Sequence, residues 1–564
     1  INQRTLGKPQ IALSRIEKTI KLVENIRSNV DRRQLRTSYF ASVQKYYEFY
    51  IDLLMQLHEK YPSKGYNTEA LHLSERARSR SLIELLAEAN VDISKGVNSE
   101  LIERERNIQK KLNAAEFKRV QSLKNLESGY TNKQLEKIKQ EIQSLLTQLD
   151  EIQAQIRAKS PQYAALTQKQ QSQKLTLKLP EIQKQVLDDD TVLLEYFLGE
   201  KNSYLWAITK TGITSYSLPK RADIETVAEV FKKELLSETR IDIPKSGVEL
   251  SQMILAPVAS QLGNKRLLIA ADGVLQTIPF AALPIPEKSS TAPTPLLVNH
   301  EIITLSSASS IAISRNQLKG RKLAPKSIAI LADPVFSRDD PRIQTNAQPT
   351  GDEDRGAFDY QKDVCLNLQR LENTATEAKK ILDLLPQAND AFSVTGFAAS
   401  RESATNKELS QYQMVHFATH GCISEKRPAS SGLVLSLLDK AGNNTDGYLR
   451  LNDIYNLNLP AELVTLSACE TAKGKQVEGE GLIGLSRGFM YAGAKRVTVS
   501  LWNVNDRATA TLMEKFYTKM LKKGLPPSKA LQAAQLEMWN SNKTNSQWKA
   551  PVYWAAFTIV GDWQ

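Results

Sequence analysis

Between Leu135 and Ile156 the apolar residues Leu135, Ile138, Ile142, Leu145, Leu149, Ile152 and Ile156 recur at alternating spacings of three and four. A helix with that heptad seam can bury its stripe only against another helix, so this stretch is neither a strand nor a lone surface helix. Leu101, Ile108 and Leu112 supply a second stripe, and Ser128 to Asn132 supplies turn-forming residues, so the spacing predicts an antiparallel hairpin of two helices. Residues 11–95 also read as helices, with a dense aromatic-aliphatic stretch at Tyr46, Tyr47, Phe49, Tyr50, Leu53 and Leu54 that ends at Pro62 to Gly65. The segment after that break alternates small and large apolar residues as helix-pair repeats of the TPR kind do.

After Pro161 a Gln- and Lys-rich linker leads into a different pattern. The runs Thr191 to Leu198 and Ser203 to Thr209 read as a hairpin, and Arg266 to Ala270 as a buried strand. A second set follows: Ile328 to Ala332, a helix at Thr374 to Leu385, Met414 to Thr419, Leu463 to Ala468, a helix at Leu482 to Ala492, and Arg496 to Trp502. Strands alternating with helices predict a mostly parallel sheet covered on its faces. The polar stretch Ser337 to Asp363 is too long for an ordinary connection and reads as an insert or a processing site.

For 564 residues, several domains are expected. The divisions are a TPR-like region at 1–95, a coiled-coil hairpin and linker at 96–170, and two α/β parts at 171–320 and 321–564. Three cysteines are too few for a disulfide framework, so a reducing, cytoplasmic location is expected and membrane insertion is not. The opening residue, Ile1, suggests a fragment or a processed form. Residues 1–180 carry 31 Lys and Arg against 20 Asp and Glu, and the rest carries 43 against 42, so the basic excess is N-terminal. That excess is read as solvated helix surface; binding of nucleic acid is the weaker alternative.

Ligand sites of an open α/β sheet form at the carboxyl ends of its strands, and two strand ends deliver reactive groups. One ends in His416-Phe-Ala-Thr-His420-Gly421-Cys422 and the other in Ser467-Ala-Cys469-Glu-Thr471. A cysteine attacks as its thiolate, which an adjacent imidazole generates, and the oxyanion that follows needs backbone N–H donors. His420 and Cys469 fit the first two roles, and the amides of Gly421 and Cys469 fit the third. A strand-end cysteine is also commonly a small buried apolar residue, so a structural role stays open. On a strand, His416 and His420 stand roughly 13 Å apart, too far for one zinc. No metal and no cofactor is expected, and His416 is read as packed or hydrogen-bonded beneath the site. Cys422 has no evident partner. Gly479-Glu-Gly481-Leu-Ile-Gly484 nearly matches a dinucleotide fingerprint, but it does not follow a strand directly and is read as a loop beside a cleft.

The residues around His420-Gly421 and Ser467 to Thr471 resemble the CHAT family of caspase-like peptidases, whose members also carry TPR units. The likeness runs through Glu480 to Ala494, Val499 to Asp506 and Trp554 to Gly561. It implies a caspase-like fold of the gingipain and separase type, with 171–320 a degenerate half and 321–564 the active half. It also implies a Cys469–His420 dyad with oxyanion donors at Gly421 and Cys469. Leu501 to Asp506 is similar to a separase loop in which an acidic residue helps hold an arginine, so Asp506 could line a basic S1 pocket. The alternative for Asp506 is a helix N-cap. Ser467 takes the place where some basic-specific relatives carry an acid, which weakens that preference. The expected function is a cysteine endopeptidase cutting specific protein partners, with the N-terminal helices recruiting a substrate or regulator. The alternative is an inert scaffold that binds a partner protein.

Overall fold

The computed structural model describes residues 9–28, 33–89, 97–124, 132–160, 176–286, 293–343, 365, 368–386, 390–424, 430–468, 474–477, 481–541 and 546–564. Two compact units are present, Ile1–Thr176 with Val477–Gly479, and Leu177–Gln476 with Glu480–Gln564.

The first unit is helical: α1 (Pro9–Ser28), α2 (Arg33–Lys60), α3 (Tyr66–Ala89), α4 (Ser99–Lys124) and α5 (Asn132–Lys159). Tyr47, Tyr50, Leu53 and Leu54 of the aromatic stretch are buried, whereas Tyr46 faces out. Tyr47 Oη donates to Glu24 at 3.0 Å and Tyr50 Oη to Glu69 at 2.9 Å, so α2 is fixed to both of its neighbours by hydroxyls at the ends of buried rings. Gly65 closes the break between α2 and α3 with a φ of 74°, a conformation in which a Cβ is strained. The heptad residues Ile142, Leu145, Leu149, Ile152 and Ile156 pack with Leu101, Leu112 and Ala115, which makes α4 and α5 the expected helical hairpin. Its turn lies outside the described residues.

The second unit is built on an eleven-stranded sheet. Its strands are β1 (Thr191–Phe197), β2 (Ser203–Ile208), β3 (Ile213–Leu218), β4 (Arg266–Ala270), β5 (Ile302–Thr304), β6 (Lys326–Ala332), β7 (Ala391–Thr395), β8 (Tyr412–Ala418), β12 (Leu463–Ser467), β15 (Arg496–Ser500) and β16 (Phe557–Gly561). A smaller sheet holds β9 (His420–Cys422), β10 (Gly432–Val434) and β11 (Tyr448–Arg450), and β13 (Gly474–Val477) and β14 (Gly481–Gly484) are short separate strands. The order across the large sheet is β3-β2-β1-β4-β5-β16-β15-β12-β8-β6-β7. Pairing is parallel except for β1 with β2, β2 with β3, and β15 with β16. The sheet is therefore mostly parallel, as the alternation of strands and helices implies.

Central strands read as unbroken apolar runs because both faces are covered, and β12 and β15 are buried at every position. The covering helices that bear on the site are α6 (Asn373–Leu382), α7 (Leu485–Tyr491) and α8 (Asp506–Leu521). Two readings are corrected here: helix α7 begins at Leu485 rather than Leu482, and Gly481–Gly484, read as part of a loop, is strand β14, whose last residue Gly484 is the N-cap of α7. The strands β3, β5 and β7 escape the sequence reading because β3 and β7 are half-exposed and mixed in polarity and β5 has three residues.

Candidate active site

Strand β8 runs through the sheet and its chain continues directly into β9, which carries His420 out of the large sheet onto the small one. Val434 of β10 lies opposite His420 and Leu433 opposite Gly421. A Cβ at Gly432, the next position of β10, would collide with the Leu449 carbonyl on β11, so only glycine lets the three short strands close up.

Strands β8 and β12 lie side by side with Ala418 opposite Ser467. Each of those residues precedes a member of the suspected dyad by two positions. Beyond the ladder, the Thr419 amide donates to the Ser467 carbonyl at 3.2 Å, and Ser500 Oγ donates to the Ala468 carbonyl at 2.5 Å. The chain is thus fixed up to the residue before Cys469. Cys469 itself, with its amide and Glu470 to Thr471, lies outside the described residues.

The His420 imidazole stands edge-on to Phe336, with ring centroids 4.9 Å apart. Its Nε2 is 2.7 Å from the Gln369 carbonyl oxygen. A carbonyl can only accept, so Nε2 carries the proton and the lone pair of the neutral ring resides on Nδ1. Burial pulls the His420 pKa below the ordinary histidine value, against the opposing effects of the Gln369 carbonyl and the Asp506 charge. The ring is neutral near pH 7 and able to accept a proton.

Asp506 is the first residue of α8, and its Oδ2 accepts from the Asn373 amide at 2.8 Å and from Asn373 Nδ2 at 2.9 Å. The N-cap role falls to Asn505, whose side chain accepts from the Ala508 amide at 3.1 Å. The cap alternative for Asp506 is corrected accordingly. Ser467 is buried, and its Oγ has no hydrogen-bond partner among the described residues.

Several residues of the site were missed. Asp333, just past the carboxyl end of β6, has a φ of 48° and is almost fully buried. Its two carboxylate oxygens accept from Arg370 Nε and Nη2, both at 2.9 Å, and Oδ2 also accepts from Arg342 Nη1 at 2.8 Å. The Asp333 carboxylate in turn raises the pKa of Arg370. Arg342 also binds Asp340 through Nε at 2.7 Å and holds that carboxyl below the usual range. The available signal was Asp333 following a buried strand by one residue, next to the place where the other two strands deliver their reactive residues two positions past their ends.

Cys422 has a partner after all: it forms a disulfide with Cys365, with Cα atoms 5.8 Å apart. The two cysteines are 57 residues apart in sequence, so spacing alone could not pair them. Among the described residues no group of three or more His, Cys, Asp or Glu side chains could hold a metal, and no helix is long and apolar enough to cross a membrane.

Beneath the site lies a polar chain with no solvent contact. Glu377 of α6 is 2.7 Å from His416 Nε2, His416 Nδ1 is 3.0 Å from Tyr517 Oη of α8, and Tyr517 donates to Thr465 Oγ1 at 3.0 Å. His416 is the hydrogen-bonded structural histidine that the sequence suggested.

The CHAT domain family model matches residues 244–562. The chain belongs to the CHAT domain family. Relatives of this CHAT chain include human Tetratricopeptide repeat protein 28, 27% identical over 330 residues, which are 53% of this chain and 12% of that protein. The mouse protein of the same name is 38% identical over 109 residues, 19% of this chain and 4% of that protein. The CHAT chain thus spans a small fraction of the length of these relatives. Among solved structures, the Saccharomyces cerevisiae separase–securin complex aligns with a TM-score of 0.42 at 10% identity, covering 96% of this chain and 48% of that one. The Arg-specific cysteine proteinase gingipain R aligns with a TM-score of 0.32 at 10% identity, covering 61% and 74%. Likeness at these scores carries no inference about the site.

Proposed function

We propose that this CHAT protein is a cysteine endopeptidase of caspase-like type, with His420 as base and Cys469 as nucleophile. The observation that carries the reading is the β8–β12 register. It sets Ala418 beside Ser467, two residues before His420 and Cys469 respectively. In the proposed reaction Nδ1 of neutral His420 takes the thiol proton, and the thiolate adds to the scissile carbonyl carbon. The Gly421 and Cys469 amides stabilise the resulting oxyanion. The imidazolium then protonates the leaving amine, and water hydrolyses the thioester. Asp506, close enough to act electrostatically on His420, favours the imidazolium that forms during this transfer. Ser467 is buried where β12 ends beside β8, and a basic side chain before the scissile bond suits the Asp506 carboxylate, whose charge acts on His420. The substrate is a protein partner in the cytoplasm, recruited or regulated through the helical unit.

The test compares wild type with Cys469→Ala and His420→Ala on a proteome-derived peptide library, with cleavage sites read by sequencing. Both variants should lose cleavage by at least about a thousandfold, the scale of removing one member of such a machinery. Cleavage by purified Cys469→Ala at the wild-type rate removes the mechanism. In that event, a protein that binds its partner regardless of Cys469 would fit the inert-scaffold reading.

A further inference from the structure

A cleft of about 560 Å³, its open mouth included, lies in the sheet-bearing unit where β4, β5 and β15 end and β16 begins. Its body is apolar, with walls that include Ile269 of β4, Leu275, Phe280, Leu501, and Leu531 of α9 (Pro527–Trp539), and none of its lining residues is charged. The polar groups that line it are amides and hydroxyls. The hydroxyls are engaged: Ser528 donates to Glu301, and Thr304 and Thr558 bond to each other. Gln532 and Gln535 stand three apart on α9 and so share one face of that helix. Gln535 is 3% exposed, and its Nε2 donates to the Trp554 carbonyl at 2.8 Å and to the Phe557 carbonyl at 3.0 Å. Gln532 Nε2 donates to the Leu297 carbonyl at 2.8 Å. A carbonyl can only accept, so the amino group of each side chain is turned to the main chain and the amide oxygens are fixed on the other side. Neither oxygen accepts from a described residue.

We propose that this cleft is a binding site for a neutral small molecule with a compact apolar body and an N–H donor at one end, the donor bonding to the amide oxygens of Gln532 and Gln535. Each part of that ligand class follows from the lining. An ionic ligand would exchange water for walls that hold no counter-charge, which burial penalises heavily. An apolar body gains by leaving water beside Leu275, Phe280 and Leu531. A polar end that only accepts would meet two more acceptors there and lose its bonds to water without replacement. The volume is that of a cleft which encloses a small molecule rather than a chain segment. No lining residue belongs to β8, β9 or β12, so binding here stands apart from the peptidase reading.

The probe is indole, which joins an apolar ring system to one N–H donor, and its control is indene, in which a methylene replaces the N–H. Full-length protein with labelled leucine methyl groups is titrated with each, and methyl shifts and ligand-to-methyl NOEs are read by NMR. Indole should shift the Leu275 and Leu531 methyls and show NOEs to both. Indene should bind about tenfold more weakly, the scale of one neutral hydrogen bond. Ala281→Phe places a ring in the cleft from a half-exposed lining position. It should remove the indole shifts while the buried Leu205 and Leu512 methyls keep their wild-type positions, which shows the chain folded. No indole response at Leu275 and Leu531 overturns the site, and so does a response that survives in folded Ala281→Phe. Equal affinity for indole and indene overturns the part given to the amide oxygens, and with it the ligand class. If Ala281→Phe does not fold, the comparison of indole with indene on wild type decides alone.

Discussion

His420 is acted on by neighbours that pull its proton affinity in opposite directions, and burial outweighs the Gln369 carbonyl and the Asp506 charge. A histidine whose pKa is depressed on folding favours the native state above its unfolded value of about 6.5, and that contribution is lost as pH falls through the lower native value. In Cys469→Ala, the imidazole resonances of His420 should titrate with a midpoint below that of free histidine. Asp506→Asn, which removes a charge that raises the pKa, should lower the midpoint again. A midpoint at or above 6.5 in the parent would show that burial does not dominate. The acid limb of cleavage should fall in the same depressed range, which pH-rate measurements can check. The sequence made His420 legible because it lies in a short reactive run at a strand end. Gln369, Arg370 and Asp333 could not be read beside it, since they lie 51, 50 and 87 positions away and only the topology brings them there.

Strands β8 and β12 are aligned by their ladder and also by the polar chain beneath it. His416 and Thr465 are register partners, and both bond to Tyr517 Oη from a helix packed on one face of the sheet. The Tyr517 hydroxyl donates to Thr465, so toward His416 Nδ1 it is the acceptor, and the other ring nitrogen faces Glu377 at 2.7 Å. Burial raises the Tyr517 pKa, which keeps that hydroxyl protonated as a donor. Tyr517→Phe leaves His416 and Thr465 without their shared partner at little cost in volume. It should lower stability in urea unfolding by about 1–3 kcal/mol, the cost of stranding buried polar groups. Cleavage should fall through the turnover rate more than through KM if the chain positions the dyad. A variant as stable and as active as wild type would reduce the network to packing. The sequence suggested that His416 bonds beneath the site, because a histidine inside an apolar strand has few other ways to be tolerated. Its partners were hidden, since Glu377 and Tyr517 belong to helices whose packing faces cannot be assigned from periodicity alone.

At the scale of the sheet-bearing unit, the sequence suggests two α/β parts meeting near residue 320; β1 to β5 lie together on one side of the large sheet and the later strands on the other. The sheet joins them through its last strand: β16 returns between β5 and β15, parallel to the first and antiparallel to the second. Thr304 Oγ1 and Thr558 Oγ1 are 3.0 Å apart across that seam, and Arg315 binds both oxygens of Asp562 while lying over the Trp563 ring. One apolar cluster runs from Val192 and Leu205 to Leu512, Trp554 and Ile559. With a shared core and no free sheet edge between the parts, neither has a separate surface along which to unfold. Leu205→Ala and Leu512→Ala, both at fully buried positions, should each cost about 2–5 kcal/mol. Hydrogen exchange should show each variant speeding exchange in β4 and β15 alike, because both strands open in the same global event. If Leu205→Ala sped exchange only among β1 to β5 and left β15 as protected as in wild type, the two parts would be independent folding units despite their common sheet.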